Sequence, residues 1–196
     1  DEAFLRDNLR RVLDLAREKE MFVRFDMESS AYTQRTLDFF RSVWDDGYTN
    51  VGVVIQSYLY RSEDDVRALN ALGARVRLCK GAYKEPESVA FPRKSDVDAN
   101  FVRLMKLLLT EGAYTGLATH DERMIQATKD FATEKGIPAS DYEFQMLYGV
   151  RRDVHRKLVA DGYQLRIYVP FGEAWYPYFM RRLAERPANV FFVMDS

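Results

Sequence analysis

The sequence predicts a parallel α/β fold, and three observations carry that reading. Six short apolar runs alternate with stretches whose apolar residues recur at helical spacing. Glycine or proline closes several of the helical stretches. Neither a linker nor a block of like charge interrupts the rhythm over the 196 residues. Such alternation means parallel strands joined by helical crossovers.

Taken in order, Phe4, Leu5, Leu9, Val12, Leu13 and Ala16 set the first helix, and Met21 to Phe25 (MFVRF) the first strand. Leu37, Phe40, Val43 and Trp44 share the face of a second helix that ends near Gly47. Val51 to Ile55 is continuously apolar, which suits a strand buried on both faces. Val66, Leu69 and Leu72 mark a helix closed by Gly73, and Arg75 to Cys79 the next strand. Pro86 and Pro92 make Gly81 to Asp96 a loop. A helix carries Phe101, Leu104, Met105 and Leu108, followed by a weaker strand at Tyr114 to Thr119. Met124, Ile125, Thr128 and Phe131 are helical up to Gly136 and Pro138. Tyr142 to Leu147 is a strand, Val154, Leu158 and Val159 a helix, and Gln164 to Val169 the last clear strand. A final helix is expected from about Glu173 to Arg186, with Val190 to Met194 as a short strand or apolar plug.

Two architectures share this rhythm: an open doubly wound sheet and a (β/α) barrel. A complete eight-unit barrel needs roughly 200 to 250 residues, and a doubly wound dinucleotide fold would show a G-x-G-x-x-G turn that is missing here. Periodicity leaves the choice open. Composition narrows function. Lys plus Arg is 29 against Asp plus Glu 30, a net charge of -1, which argues against a generally basic nucleic-acid binder. No apolar run approaches the roughly 20 residues of a membrane span, and Asp1 to Glu20 is too charged for a secretory signal. With Cys79 as the only cysteine and His120 and His155 the only histidines, neither a disulfide nor a metal centre is expected. A reducing, cytosol-like compartment suits this composition.

Ligands of parallel α/β folds bind at the carboxyl ends of the strands. The polar residues there are Asp26 and Glu28, Gln56, Lys80 with Gly81, Ala82 and Tyr83, Thr119 and His120, Gln145, and Tyr168. Asp26 and Glu28, two apart, would share one side of an extended strand, while Ser29 and Ser30 suit a helix cap. Arg77 and Lys80 need an anion or an electron-rich cofactor, because an unpaired buried cation costs several kcal/mol; Asp26 or Glu28 is the alternative partner. His155, in the charged run RRDVHRK, reads as a solvated surface residue. Tyr178, Arg181 and Arg182 overlook one patch of a helix, a fork suited to a carboxylate or simply a solvated basic turn.

Together these segments resemble the proline dehydrogenase family. RLCKGAYKEPESVAF, Arg77 to Phe91, is similar to the signature RLVKGAY. ATHDE at Ala118 to Glu122 resembles ATHN, and FQMLYG at Phe144 to Gly149 resembles FQ-x-L-x-G. RIYVPFG at Arg166 to Gly172 is similar to R-x-Y-x-P-x-G, and YFMRRL at Tyr178 to Leu183 to Y-L-x-R-R-L. VIQSYL at Val54 to Leu59 resembles the family's Q-A-Y strand end. The motifs keep the family's order over nearly the whole chain. Asp121 stands where the family usually has Asn, Tyr148 where many members have His, and Lys84 where many have Trp.

The resemblance implies a (β/α)8 TIM-type barrel, of which residues 1–196 would be a single domain, the C-terminal three quarters. The six strands then look like the family's third to eighth, and no residue matches the first-strand lysine that helps hold the substrate carboxylate. It implies FAD-dependent oxidation of L-proline to Δ1-pyrroline-5-carboxylate, the hydride passing from C5 to flavin N5 and the electrons on to a quinone. Further implications are a pyrroline-5-carboxylate dehydrogenase as partner and a cytoplasmic place peripheral to the inner membrane. Residue by residue, Arg181 and Arg182 match the carboxylate clamp, and Ala82, Tyr83, Leu147, Tyr168 and Tyr178 the substrate-packing positions. Asp26 matches an orienting aspartate. Gln56, Arg77, Lys80, Gly81, Thr119, His120 and Gln145 match cofactor-contacting positions. The substrate amine must shed a proton, so activity should rise with pH, though no general base is evident. Two rivals remain: a Schiff-base lyase acting through Lys80, and a non-catalytic barrel segment binding a partner through its tyrosines and arginines. Replacing Arg181 or Arg182 by Met is expected to weaken proline binding and spare the flavin, at very roughly 1.5 to 3 kcal/mol per lost charge-assisted pair; titration of each variant with proline checks this.

Overall fold

A computed structural model of the chain describes residues 2–173, together with Tyr176 and Met180. Helix α1 (Glu2–Glu18) precedes β1 (Val23–Phe25), α2 (Ser30–Asp45), β2 (Val51–Gln56), α3 (Ser62–Ala71) and β3 (Arg75–Cys79). Then follow α4 (Lys94–Glu111), β4 (Thr115–Ala118), α5 (Glu122–Lys135), β5 (Tyr142–Leu147), α6 (Arg152–Ala160) and β6 (Leu165–Tyr168).

All six strands are parallel and lie in sequence order, β1-β2-β3-β4-β5-β6. That order decides between the two architectures. A doubly wound sheet reverses its strand order at a switch point, whereas a barrel adds each strand beside the last. The strands form a curled half-barrel with the helices alternating between them. Among the described residues, β1 and β6 each pair on one side only.

Alternation along the strands separates two surfaces. Val53, Ile55, Val76, Leu78, Leu117, Phe144 and Met146 form a dry layer with helix residues such as Phe40, Val66, Phe101, Leu104 and Ile125. β2 is buried at every position, as its continuous apolar run requires. The other surface faces the hollow of the half-barrel and holds Arg24, Arg75, Arg77, Glu143, Gln145 and Arg166, linked by strand register.

Local sequence sets the element ends. Asp121 caps α5 by accepting a hydrogen bond from the Arg123 backbone N–H at 3.1 Å, and Gly136 ends the helix in the left-handed conformation with φ 66°. The loop expected over Gly81 to Asp96 stops earlier, since α4 already begins at Lys94, just after Pro92. β1 ends at Phe25, so Asp26 and Glu28 leave the strand instead of alternating along it. His155 is half-buried, with its Nε2 enclosed and unpaired; this corrects its reading as a solvated residue. Its α6 neighbour Val154 and also Leu158 face the core, and they draw the ring under cover. The expected final helix is described only at Tyr176 and Met180, and the Val190 to Met194 segment lies outside the described residues.

Leu117 is fully enclosed at the centre of the dry layer. Leu117→Ala is therefore expected to cost about 2–5 kcal/mol through lost burial and a residual cavity, read as a fall in the urea midpoint.

Candidate active site

The residues at the carboxyl ends of the strands converge on the open mouth of the half-barrel. Arg77, mid-strand in β3, donates from Nε to Gln145 Oε1 at 2.6 Å. Its other arm lies 3.5 Å from Asp26. Gln145 in turn donates from Nε2 to Glu143 Oε1 at 2.5 Å. Glu143 also receives Arg166 through Nε at 2.6 Å and a second guanidinium nitrogen at 2.8 Å, and the Tyr114 hydroxyl at 3.3 Å. A polar line thus runs from Asp26 through Arg77, Gln145 and Glu143 to Arg166. Burial alone would raise the Glu143 pKa, but the hydrogen bonds from Arg166 and Gln145 outweigh it and hold the carboxyl below its usual range.

Arg24 lies deeper. It donates to the carbonyl oxygens of Arg75 at 2.7 Å and Val53 at 3.2 Å and stacks over Phe22. Burial, and then its cationic neighbour Arg77, lowers its pKa to about 9.

Lys80 answers the demand for an anion with partners other than Asp26 or Glu28. Its Nζ lies 2.5 Å from Asp98 and 2.8 Å from Asp121. Lys94 and Arg123 share the same two carboxylates. For Asp98, burial works against ionisation, and hydrogen bonds from Lys80 and Lys94 overcome it, leaving a lowered pKa. For Asp121, hydrogen bonding from Arg123, followed by Lys80, holds the carboxyl well below the carboxylate range. Engaged by two carboxylates, Lys80 is not presented as a free nucleophile, which weighs against the Schiff-base reading.

Gln56 at the end of β2 is buried. Its Nε2 makes a long contact to the Met27 carbonyl at 3.5 Å, and its Oε1 is enclosed without a partner. An orphaned buried acceptor costs about 1–3 kcal/mol, so it marks a place where a donor is expected. Thr119 is buried and accepts from the Asp121 backbone at 3.1 Å. His120 accepts from the Leu147 N–H through Nε2 at 3.0 Å, which places its ring proton on Nδ1.

The loop after β3 is fastened at a distance. Ser29 stands at the N-cap of α2 without a side-chain cap bond, and the first turn holds no acidic residue. Glu85 supplies both. It accepts from the Ser30 N–H at 2.7 Å, from the Ser30 hydroxyl, and from Tyr58 at 3.3 Å. Tyr83 donates to Glu28 on the same segment. Gly81 turns the chain with φ 107°, and a Cβ there would strike the Tyr58 ring, so only glycine fits. Ala82, Tyr83 and Tyr168 remain exposed on the mouth side, with Leu147 half-buried beside β6. Tyr178, Arg181 and Arg182 lie outside the described residues.

The sequence reading missed Glu143, Glu85 and Asp98. Glu143 was accessible to it, since period-two alternation puts it on the same face as Gln145. Glu85 and Asp98 act across 55 and 18 residues and leave no local signal. A cavity of about 220 Å³ opens at the opposite end of the strands, lined by Leu108, Gly112, Thr115 and Ile137, and touches none of the mouth residues.

Sequential parallel strands with a charged, hydrogen-bonded interior and polar carboxyl ends define a TIM-type (β/α) barrel whose ligand face is the mouth. The proline dehydrogenase family model matches residues 4–195, so the chain belongs to that family. It is 47% identical over 190 residues to Proline dehydrogenase 2 of Bacillus subtilis (strain 168), covering 97% of this chain and 62% of that protein. It is 48% identical over 190 residues to Proline dehydrogenase of Deinococcus radiodurans, covering 96% and 61%. The chain thus spans about three fifths of the length of these relatives. Among solved structures, proline utilization A from Bdellovibrio bacteriovorus, inactivated by N-propargylglycine, superposes with TM-score 0.86 at 33% identity, over 92% of this chain and 21% of that one.

Asp121, where the family usually has Asn, joins three cations at the mouth. Its carboxyl pKa is depressed on folding, so its stabilisation is present above the unfolded value near 3.9 and is lost as pH falls through the folded value. Asp121→Asn is expected to lower stability by about 1–3 kcal/mol at pH 7. The gap to the parent should close as the pH drops below about 4, as measured by denaturant titration across pH.

Proposed function

We propose that the protein containing this chain oxidises L-proline to Δ1-pyrroline-5-carboxylate at the mouth of the barrel, with FAD as its cofactor. The observations that carry the reading are a braced Arg77 in β3 and, on the adjacent strand and two register steps further along, the orphaned Gln56 Oε1, in a chain of this family. An isoalloxazine is a flat ring with an N–H donor and carbonyl acceptors on one edge, so a buried unpaired acceptor and a guanidinium on neighbouring strands suit it. Gln56, Arg77, Lys80, Gly81, Thr119, His120 and Gln145 would hold it. When bound, FAD supplies the hydride acceptor at N5 and hands the electrons to a quinone.

The chain's own residues bind and orient. Arg181 and Arg182 would grip the proline carboxylate as a charge-assisted fork. Ala82, Tyr83, Leu147, Tyr168 and Tyr178 would wall the ring and exclude water, turning an encounter into an oriented complex. Asp26 would brace Arg77, which it already faces at 3.5 Å. The Glu85 tie keeps Tyr83 against the segment that carries Asp26 and Glu28. Residues 1–196 would act as a single domain. A pyrroline-5-carboxylate dehydrogenase is the fitting consumer of the product. Among the described residues no helix is long and apolar enough to cross a membrane, and a peripheral membrane position, from the cytoplasm, would bring the cofactor to a quinone.

The experiment is an anaerobic absorption spectrum of the full-length protein. A flavin band near the visible blue that bleaches on adding L-proline is expected. A colourless protein that takes up no FAD, or a yellow one that proline leaves unchanged, would overturn the assignment.

A further inference from the structure

We propose that Glu143 is a positioning residue: it fixes which way the Gln145 amide faces, and through that amide it holds Arg77 toward the cofactor. This rests on the flavin reading above. The argument begins with what each group can do. An ionised carboxylate only accepts hydrogen bonds, and an amide has one accepting and one donating end. With Glu143 ionised and Gln145 two residues along the same strand face, the amide must present its NH2 to Glu143. Its oxygen then faces the other way, where Arg77 Nε meets it at 2.6 Å. Turned over, the same amide would set its NH2 against a guanidinium that can only donate.

Two features make the lock rigid. Glu143 is 4% exposed and Arg166 holds both of its carboxylate oxygens, which fixes the carboxylate plane against the amide. Gly116 lies in register between Arg77 and Glu143. A Cβ there would overlap the Gln145 amide, so its absence gives the side chain room to lie across β4. Asp26 holds the other arm of Arg77 and is itself mostly exposed, 64% of its side chain. The buried restraint on Arg77 is therefore the one that starts at Glu143.

The sign of the effect separates positioning from bulk charge. Removing the negative charge of Glu143 would, by Coulomb attraction alone, favour the more negative reduced flavin and raise its potential. Releasing Arg77 acts in the opposite direction, because a guanidinium near the ring stabilises the reduced form. The test is the flavin midpoint potential of the full-length holoprotein, measured by dye equilibration. Glu143→Gln is expected to lower the preference for reduced over oxidised flavin about tenfold, a fall of ~30 mV for a two-electron couple. Gln145→Met should lower it in the same direction with the Glu143–Arg166 pair left in place. In an Arg77→Met background, Glu143→Gln should no longer lower the potential. If Glu143→Gln alone leaves Arg166 stranded and does not fold, Glu143→Gln with Arg166→Met removes both partners and is measured instead. A potential that rises or stands still on loss of Glu143 overturns the inference alone. A parent protein that takes up no flavin overturns the functional reading with it.

Discussion

A guanidinium enclosed in a protein must find acceptors for its N–H groups, and the interior of this half-barrel is arranged around that demand. Four arginines project from the inner face of the sheet, Arg24 and Arg77 half-buried, Arg75 and Arg166 more exposed. They find partners in different ways. Arg24 uses backbone carbonyls and an aromatic ring, Arg75 lies over Phe22 and Tyr114, Arg166 takes a carboxylate in both arms, and Arg77 takes an amide and a carboxylate. Arg166 draws on the adjacent strand β5, whereas Arg77 meets Gln145 from two strands away, across Gly116 of β4. The in-order parallel register is what brings those partners level. The charged interior and the strand order are thus one arrangement, since a different order would part Arg77 from Gln145 and Arg166 from Glu143.

The mouth uses a second strategy. Lys80, Lys94 and Arg123 share Asp98 and Asp121, so five charges from β3, α4 and the start of α5 form one cluster. Networks of this kind define geometry more than they add stability. Here the effect is to set the loop after β4, with Thr119 and His120, against the end of β3. His120 completes the arrangement by accepting from Leu147, which ties β4's end to β5's. Lys80, Thr119 and His120 are thereby held together across the ends of β3, β4 and β5.

Much of the fold was legible because the hydrophobic pattern changes period at each boundary. Tyr142–Leu147 was readable to the residue, since the apolar side chains Tyr142, Phe144 and Met146 alternate with the polar Glu143 and Gln145, all five of them buried. Periodicity alone did not separate barrel from open sheet, because strand order is a tertiary property; the family motifs pointed to the barrel, and the in-order sheet bears them out. The site divides along the same line. Polar residues such as Gln56, Arg77 and Gln145 stand out because polar groups within or at the ends of apolar runs are conspicuous. Their partners do not: Lys80 pairs with Asp98, which sits inside a helix and looks like any solvated aspartate. His155 misleads in the opposite sense, a half-buried ring with an enclosed Nε2 within a run of charges.

The tie between Glu85 and the start of α2 has a consequence for how this barrel can vary. A β3–α4 loop anchored only at its own ends could change length and be exchanged among homologues as a cassette. This one takes its bearings from a helix 55 residues earlier, and the stretch from Gly81 to Glu85 is a fixed-length tether between the two. Transplanting it without Ser30, or adding a residue inside it, would leave the dipole of α2 unanswered and carry Tyr83 off Glu28. Beyond Glu85 the Tyr60 hydroxyl on the Glu87 carbonyl and the pairing of Leu59 with Ala90 fasten the span again, so the whole loop is held against the end of β2 as well as against α2.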